Sequence, residues 1–122
     1  MYTIYRHDRP SKRGGGVLIA VESTLTSEEV LFDELNSIEF ICVKLSVPDS
    51  LIYITCSYIP PSSETSVYFN HLSVIQSVSD KLSDKDQLVV LGDFNIPGTI
   101  WSPDERANVL LPTGLPIFDG PI

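Results

Sequence analysis

The chain of 122 residues has no long hydrophobic run. Nothing in it approaches the roughly 18 apolar residues that cross a bilayer as a helix. Its opening, Met1-Tyr2-Thr3-Ile4-Tyr5-Arg6, lacks the apolar centre of a secretory leader, so the expectation is a soluble, non-secreted unit. Cysteine is scarce. Cys42 and Cys56 are the two present, each inside an apolar run and neither spaced with a second Cys or His as metal ligands are. They read as reduced, buried thiols that act as small hydrophobes. Positive charge is also scarce, with 8 Lys and Arg against 16 Asp and Glu and a formal net charge of -8. That argues against a general nucleic-acid binder, whose affinity comes largely from cations facing phosphates. The distribution matters, though. Arg6, Arg9, Lys12 and Arg13 are half of the 8 cations, and a local basic edge with metal ions can still bring an acidic protein to a polyanion. Three glycines, Gly14-Gly15-Gly16, stand without the Lys-Ser/Thr of a phosphate loop and without dinucleotide-binding spacing, so they read as a flexible lead into a strand. No internal repeat or low-complexity tract is present.

What is there is enough apolar sequence, 43%, for one core. Residues 1–13 read as a polar, basic lead or loop. Val17–Val21 reads as a buried strand, Ser23–Ser27 as a polar connection and Glu28–Phe32 as a short strand. Ile38–Leu45 shows partial alternation, with Ile38, Phe40 and Cys42 on one face and Glu39, Ile41 and Val43 on the other. Leu51–Tyr58 is rich in β-branched and aromatic residues and reads as a central strand. The turn Pro48-Asp49-Ser50 between the two makes an antiparallel hairpin the economical pairing. Pro60-Pro61 then breaks the strand. Ser62 or Ser63 is the expected helix N-cap, with Glu64 in the first turn. Tyr68, Leu72, Ile75, Val78 and Leu82 recur at helical spacing and predict an amphipathic helix over 64–82. Asp80, Asp84, Lys85 and Asp86 read as solvated charges around its end. After Asn95, the recurring prolines and glycines of 96–122 preclude long regular elements.

The stretch Leu88-Val89-Val90-Leu91-Gly92-Asp93-Phe94-Asn95 is the most informative. Its apolar run reads as a strand over 87–93, buried on both faces. It delivers a carboxylate and a carboxamide to the strand's C-terminal end, where α/β sheets build ligand sites. Residues two apart on a strand share a face, so Asp93 and Asn95 can address one ligand or one metal ion. The competing reading makes both of them ordinary turn residues. Counting about five strands and one helix gives a mixed-sheet α/β or α+β unit. One helix covers one face of such a sheet, so the expectation is a single partial domain over 1–122, with its core at 14–95.

Four segments, in order, suggest a family. They are Gly15-Gly16-Val17-Leu18-Ile19-Ala20-Val21, Ile41-Cys42-Val43-Lys44-Leu45, Cys56-Ser57-Tyr58-Ile59-Pro60-Pro61-Ser62 and Val90-Leu91-Gly92-Asp93-Phe94-Asn95. Together they resemble the endonuclease/exonuclease/phosphatase superfamily, most of all the apurinic-endonuclease-like domain of non-LTR retrotransposons. The resemblance runs from about residue 14 to Trp101 and covers the middle of the family's domain. It implies part of a four-layer α/β/β/α sandwich with mixed β-sheets, incomplete at both ends. It implies a phosphodiesterase using Mg²⁺ or Mn²⁺, with Asp93 and Asn95 at the metal and catalytic positions and Tyr58 contacting a phosphate oxygen. Asp93 would orient or deprotonate the attacking water or hold the metal; Asn95 would donate to the phosphate. The implied partners are DNA and a reverse transcriptase domain in the same polypeptide, with no membrane partner. The implied location is intracellular and nuclear.

The departures from the family are equally concrete. The family carries an Asn on an N-terminal strand, a metal-binding Glu on the next strand, and a C-terminal Asp with a Ser-Asp-His ending. None of these motifs is found here, and Asp86, Asp104 and Asp119 lack that context. His7 and His71 read as ordinary solvated or partly buried histidines. Trp101 reads as a hydrophobic anchor for the loop after Asn95, with a stacking role toward DNA as the weaker reading. The isolated chain is therefore expected to be weakly active or inactive. Two alternatives stand beside this. One is a superfamily phosphodiesterase or phosphatase acting on another substrate, such as an inositol phosphate or sphingolipid. The other is a non-catalytic relic that keeps the core for structural reasons.

Overall fold

The computed structural model describes residues 1–8, 16–32 and 38–95, together with the backbone of 100–101 and 109–110. It is a mixed α/β structure with one helix packed on a mixed sheet and a small antiparallel sheet on that sheet's other face.

The chain begins with a strand, not a loose lead. β1 (Tyr2–His7) pairs antiparallel with β2 (Val17–Glu22), from Tyr2 opposite Glu22 to His7 opposite Val17. Tyr-Thr-Ile-Tyr is a strong β sequence, and its period of two is masked by the cations that follow. Thr3, Tyr5 and His7 share the face of Val21, Ile19 and Val17, which packs inward. Tyr2, Ile4 and Leu18 fall on the outer face and are exposed.

β3 (Thr26–Glu29) starts two residues before the expected strand and ends earlier. Pairing decides this: Thr26 lies opposite Ser46 and Glu29 opposite Val43 on the next strand, and Lys44 lies 3.5 Å from Glu28. Val30 and Phe32 leave the strand and cover the core instead. β4 (Glu39–Val47) and β5 (Ser50–Tyr58) form the expected hairpin, closed by Pro48-Asp49. Asp49 takes φ 66°, a left-handed conformation that Asp tolerates in turns.

The helix, α1 (Thr65–Ser79), lies within the expected span but is capped differently. Its N-cap is Glu64, without a side-chain cap bond. Ser62 takes φ 63°, and the Ser63 hydroxyl donates to the Pro60 carbonyl at 2.6 Å. Both serines are spent on the Pro-Pro turn. The buried face is Tyr68, His71, Val74, Ile75 and Val78. It includes His71 and Val74, while Leu72 of the expected stripe is half-buried.

α1 carries the chain over to β6 (Gln87–Asp93), which runs parallel to β5. Asp86 is no free surface charge. Its carboxylate accepts from the Ser83 N–H at 2.8 Å and the Leu51 N–H at 2.9 Å, and these backbone donors hold its pKa below the ordinary range. The start of β6 is thereby tied to the start of β5. The sheet order is β3-β4-β5-β6, so β6 is the outer strand among the described residues. Leu88 and Val90 pack toward α1, but Val89 is 38% and Leu91 51% exposed. The strand is therefore covered on one face and not on both, because α1 covers one face and β1–β2 lie over β4 and β5 on the other.

Two cores result. Phe40, Cys42, Tyr53, Val74, Ile75 and Val78 lie between sheet and helix. Val17, Val21, Ile41 and Val43 lie between the two sheets. Alternation along β4 and β5 places Cys42 in the first and Cys56 against the second, so the thiols are free and on opposite faces. Burial pushes the Cys42 thiol up to about 12. Beyond Asn95, the described backbone is a two-residue pairing of β7 (Ile100–Trp101) with β8 (Val109–Leu110). Among the described residues no helix is long and apolar enough to cross a membrane.

The Thr55 hydroxyl is buried with no hydrogen-bond partner. Thr55→Val keeps the shape and removes the orphaned group. It is expected to leave stability unchanged or raise it by up to about 1 kcal/mol in urea unfolding. A comparable loss would show that the hydroxyl is satisfied in solution.

Candidate active site at the ends of β5 and β6

Parallel pairing puts the C-terminal ends of β5 and β6 on the same rim, with Tyr58 opposite Asp93. Which face they occupy follows from their neighbours. Ser57 reaches His71 on α1, so Ser57 faces the helix and Tyr58 faces away. Gly92 pairs with Ser57 and Asp93 with Tyr58, so Asp93 shares the face of Tyr58. Glu39 lies opposite Tyr58 on β4. Glu39, Tyr58 and Asp93 thus form one row across three strands, each about 4.8 Å from the next. Glu39 is a site neighbour that sequence reasoning treated only as the polar side of an alternating strand. The hairpin register was the signal that would have found it. Tyr58 is half-buried against the inter-sheet core, and Asp93 is exposed.

Gly92 allows this convergence. Its φ is +153°, and a Cβ there would stand 2.3 Å from the Ser57 carbonyl oxygen. No other residue fits that approach.

The strand stops at Asp93, so Asn95 does not share a face with it by strand alternation. Asn95 takes φ 44°, in the left-handed region. Its Nδ2 donates to the Ile59 carbonyl at 2.9 Å, and the Ile59 N–H donates to the Asp93 carbonyl at 2.9 Å. The Tyr68 hydroxyl donates to the Asn95 carbonyl at 2.9 Å. By backbone and amide, Asn95 is a turn residue that ties the end of β6 to the residue after Tyr58. That bond uses one of the two Nδ2 hydrogens and leaves the second, with Oδ1, for other partners.

His71 is no solvated histidine. It is 7% exposed, with Nε2 2.8 Å from the Ser57 hydroxyl oxygen, and Ser57 is 2% exposed. Its ring lies 5.2 Å from that of Phe94 and 6.3 Å from that of Phe40. Burial lowers its pKa to about 4, so the ring is neutral at neutral pH. Tyr68 and His71, three apart on one helix face, were legible as a pair had the apolar stripe been allowed a histidine.

The expected basic edge is not assembled by the described residues. Arg6 is exposed and pairs with Asp8 at 2.8 Å, while Arg9, Lys12 and Arg13 lie outside the described residues. So do Gly14, Gly15, Asp104, Asp119 and the side chain of Trp101. His7 pairs with Glu29 at 2.8 Å and, with the Tyr5–Ser27 hydroxyl contact at 2.7 Å, ties β1 to β3 away from the rim. Among the described residues no group of three or more His, Cys, Asp or Glu is gathered to hold a metal ion. The donors at the rim are the Asp93 carboxylate, the Glu39 carboxylate on the far side of Tyr58, Asn95 Oδ1 and neighbouring carbonyls. Such a set suits a hard cation that keeps most of its waters and is completed by a substrate phosphate; it does not suit a tightly caged ion.

Two outcomes are expected here. Gly92→Ala loses more than about 2 kcal/mol in urea unfolding, since strain and a backbone clash add. A near-neutral result would mean that β6 shifts away from β5 at no cost. For His71, the folded pKa lies below the unfolded one, so the neutral ring stabilises fully above about pH 6.5. That stability is lost as the pH falls toward about 4, by on the order of 3 kcal/mol. The slope over this window should disappear in His71→Gln; parallel profiles would mean that folded His71 is charged.

Compared with known proteins, the chain matches no protein-family model and no curated protein.

Proposed function

We propose that the chain is part of a metal-dependent phosphodiesterase domain, of the endonuclease/exonuclease/phosphatase type, whose parent activity is nicking DNA for retrotransposition. One observation carries this reading. Tyr58 and Asp93, 35 positions apart in the sequence, stand at paired register positions on one face of one rim, with Asn95 tied beside them. The layer order adds support. Helix, mixed sheet and antiparallel sheet stack in an order compatible with three layers of such a sandwich.

In this reading Asp93 orients or deprotonates the attacking water or helps hold Mg²⁺ or Mn²⁺. Asn95 donates its second amide hydrogen to the phosphate, and the Tyr58 hydroxyl contacts a phosphate oxygen. A bound cation supplies charge stabilisation for the nonbridging and leaving oxygens. The site would act where chromosomal DNA is accessible, within a polypeptide that also carries a reverse transcriptase.

The donor set favours weak catalysis by these residues alone. A rim with two carboxylates flanking Tyr58, without a gathered metal-ligand group among the described residues, is also what a non-catalytic relic would keep.

Amide NMR with Mn²⁺ as a paramagnetic probe tests the proposal. Weak binding is expected, with broadening centred on Tyr58–Ile59 and Asp93–Asn95 and lost in Asp93→Ala. Broadening elsewhere, or unchanged in that variant, overturns the site. On supercoiled plasmid with Mg²⁺, at most trace nicking is expected. Robust turnover abolished by Asp93→Ala would keep the activity class and overturn the expectation of weak catalysis.

A further inference from the structure

The turn that follows β6 is held from its own neighbours by three hydrogen bonds. Ile59 N–H meets the Asp93 carbonyl, Asn95 Nδ2 meets the Ile59 carbonyl, and the Tyr68 hydroxyl meets the Asn95 carbonyl. These fix backbone. They leave open what holds the two strand ends at their mutual angle. Ser57 immediately precedes Tyr58, and Phe94 lies between Asp93 and Asn95. One side chain touches both. His71 on α1 has Nε2 2.8 Å from Ser57 Oγ and its ring 5.2 Å from that of Phe94.

The position is a costly one for a histidine. The pair is buried on the helix side of the sheet, among apolar side chains and the equally buried Thr55, where polar groups must be desolvated before they meet. An apolar residue opposite an alanine would fill such a layer without that cost. The ring also does what an aliphatic side chain does not: it bonds one strand end and packs at a tilt of 50° against the aromatic that follows the other. Successive residues on a strand face opposite ways, so fixing Ser57 on the helix side fixes the direction in which Tyr58 leaves the other side. Phe94 lies just past the end of β6, between Asp93 and Asn95, so holding its ring restrains the backbone that carries the carboxylate before it and the amide after it.

We propose that His71 is a positioning residue, which sets the relative placement of Tyr58, Asp93 and Asn95 through Ser57 on one strand end and Phe94 on the other. It touches no substrate. Its catalytic meaning rests on the phosphodiesterase reading, but its structural claim does not. Burial keeps the ring neutral at neutral pH, so Nε2 meets the Ser57 hydroxyl as an uncharged partner. Tyr68, three residues earlier on the same face, holds the Asn95 carbonyl. Helix α1 therefore reaches the rim from behind, with one side chain for the backbone and one for the side-chain directions.

A merely structural histidine is separated from a positioning one by a pair of variants. Ser57→Ala/His71→Leu removes both polar partners and fills the layer with apolar atoms. It is expected to recover most of the stability that His71→Leu alone loses. His71→Gln retains a polar group toward Ser57 but removes the ring from Phe94. The readouts are urea unfolding, the Asn95 side-chain amide resonances, and Mn²⁺ broadening at residues 58–59 and 93–95. In the folded double variant the Asn95 amide resonances are expected to shift and Mn²⁺ affinity at the rim to fall several-fold. His71→Gln should give an intermediate shift. Wild-type Asn95 resonances and Mn²⁺ affinity in either folded variant overturn the proposal and leave the phosphodiesterase reading standing. Shifted Asn95 resonances, in a protein whose wild type shows no Mn²⁺ broadening at the rim, support positioning and overturn the phosphodiesterase reading instead.

Discussion

Parallel pairing of β5 with β6 is the constraint on which the rest depends. Parallel neighbours cannot be joined by a tight turn, so a crossover must carry the chain back along the sheet, and α1 does this. The crossover places an apolar helix face on one side of the sheet. It also brings two strand ends to one rim, and so places Tyr58 beside Asp93. Asp86 reinforces the register at the opposite end, where its carboxylate accepts from Leu51 and Ser83. Gly92 permits the close approach that the rim end requires. A pairing shifted by one residue would turn every β6 side chain to the wrong face, sending Asp93 toward α1 and Leu88 and Val90 away from it.

The architecture was legible where local chemistry and pairing agree. The hairpin at Pro48-Asp49 combines a proline, an acid that tolerates left-handed backbone, and two β-rich flanks. The crossover helix has Tyr68, Ile75 and Val78 at helical spacing between two strands. Legibility failed where partners decide. Residues 2–7 alternate, but their pairing with β2 is non-local, and Arg6 among them is exposed. Ser27, Glu28 and Glu29 are weak strand formers recruited by β4. The continuous apolar run at 88–91 is compatible with burial on one face or two, and only the neighbouring layers distinguish these.

For the candidate site, the sequence pointed to two strand ends and left their geometry open. Tyr58 and Asp93 share a face as strand-end residues should. Asn95 does not follow by alternation, because the strand has ended and the left-handed backbone turns its amide to Ile59. Turn residue and ligand residue were posed as alternatives; the first is now described, and the second needs only the remaining amide hydrogen. His71 escaped notice because a lone histidine on a polar-looking helix position carries no local signal of its partner Ser57, fourteen residues upstream.

The placement of the two thiols gives the molecule an internal record of its layers. Cys42 lies under α1 and Cys56 lies half-buried between the sheets. A thiol reacts only as an exposed thiolate, so Cys42 can be reached only when its interface opens, while the part-exposed Cys56 can be reached in the folded state. Alkylation of Cys42 would therefore time the lifting of the helix against the folded-state reaction of Cys56. The hairpin that joins them holds both thiols on adjacent strands.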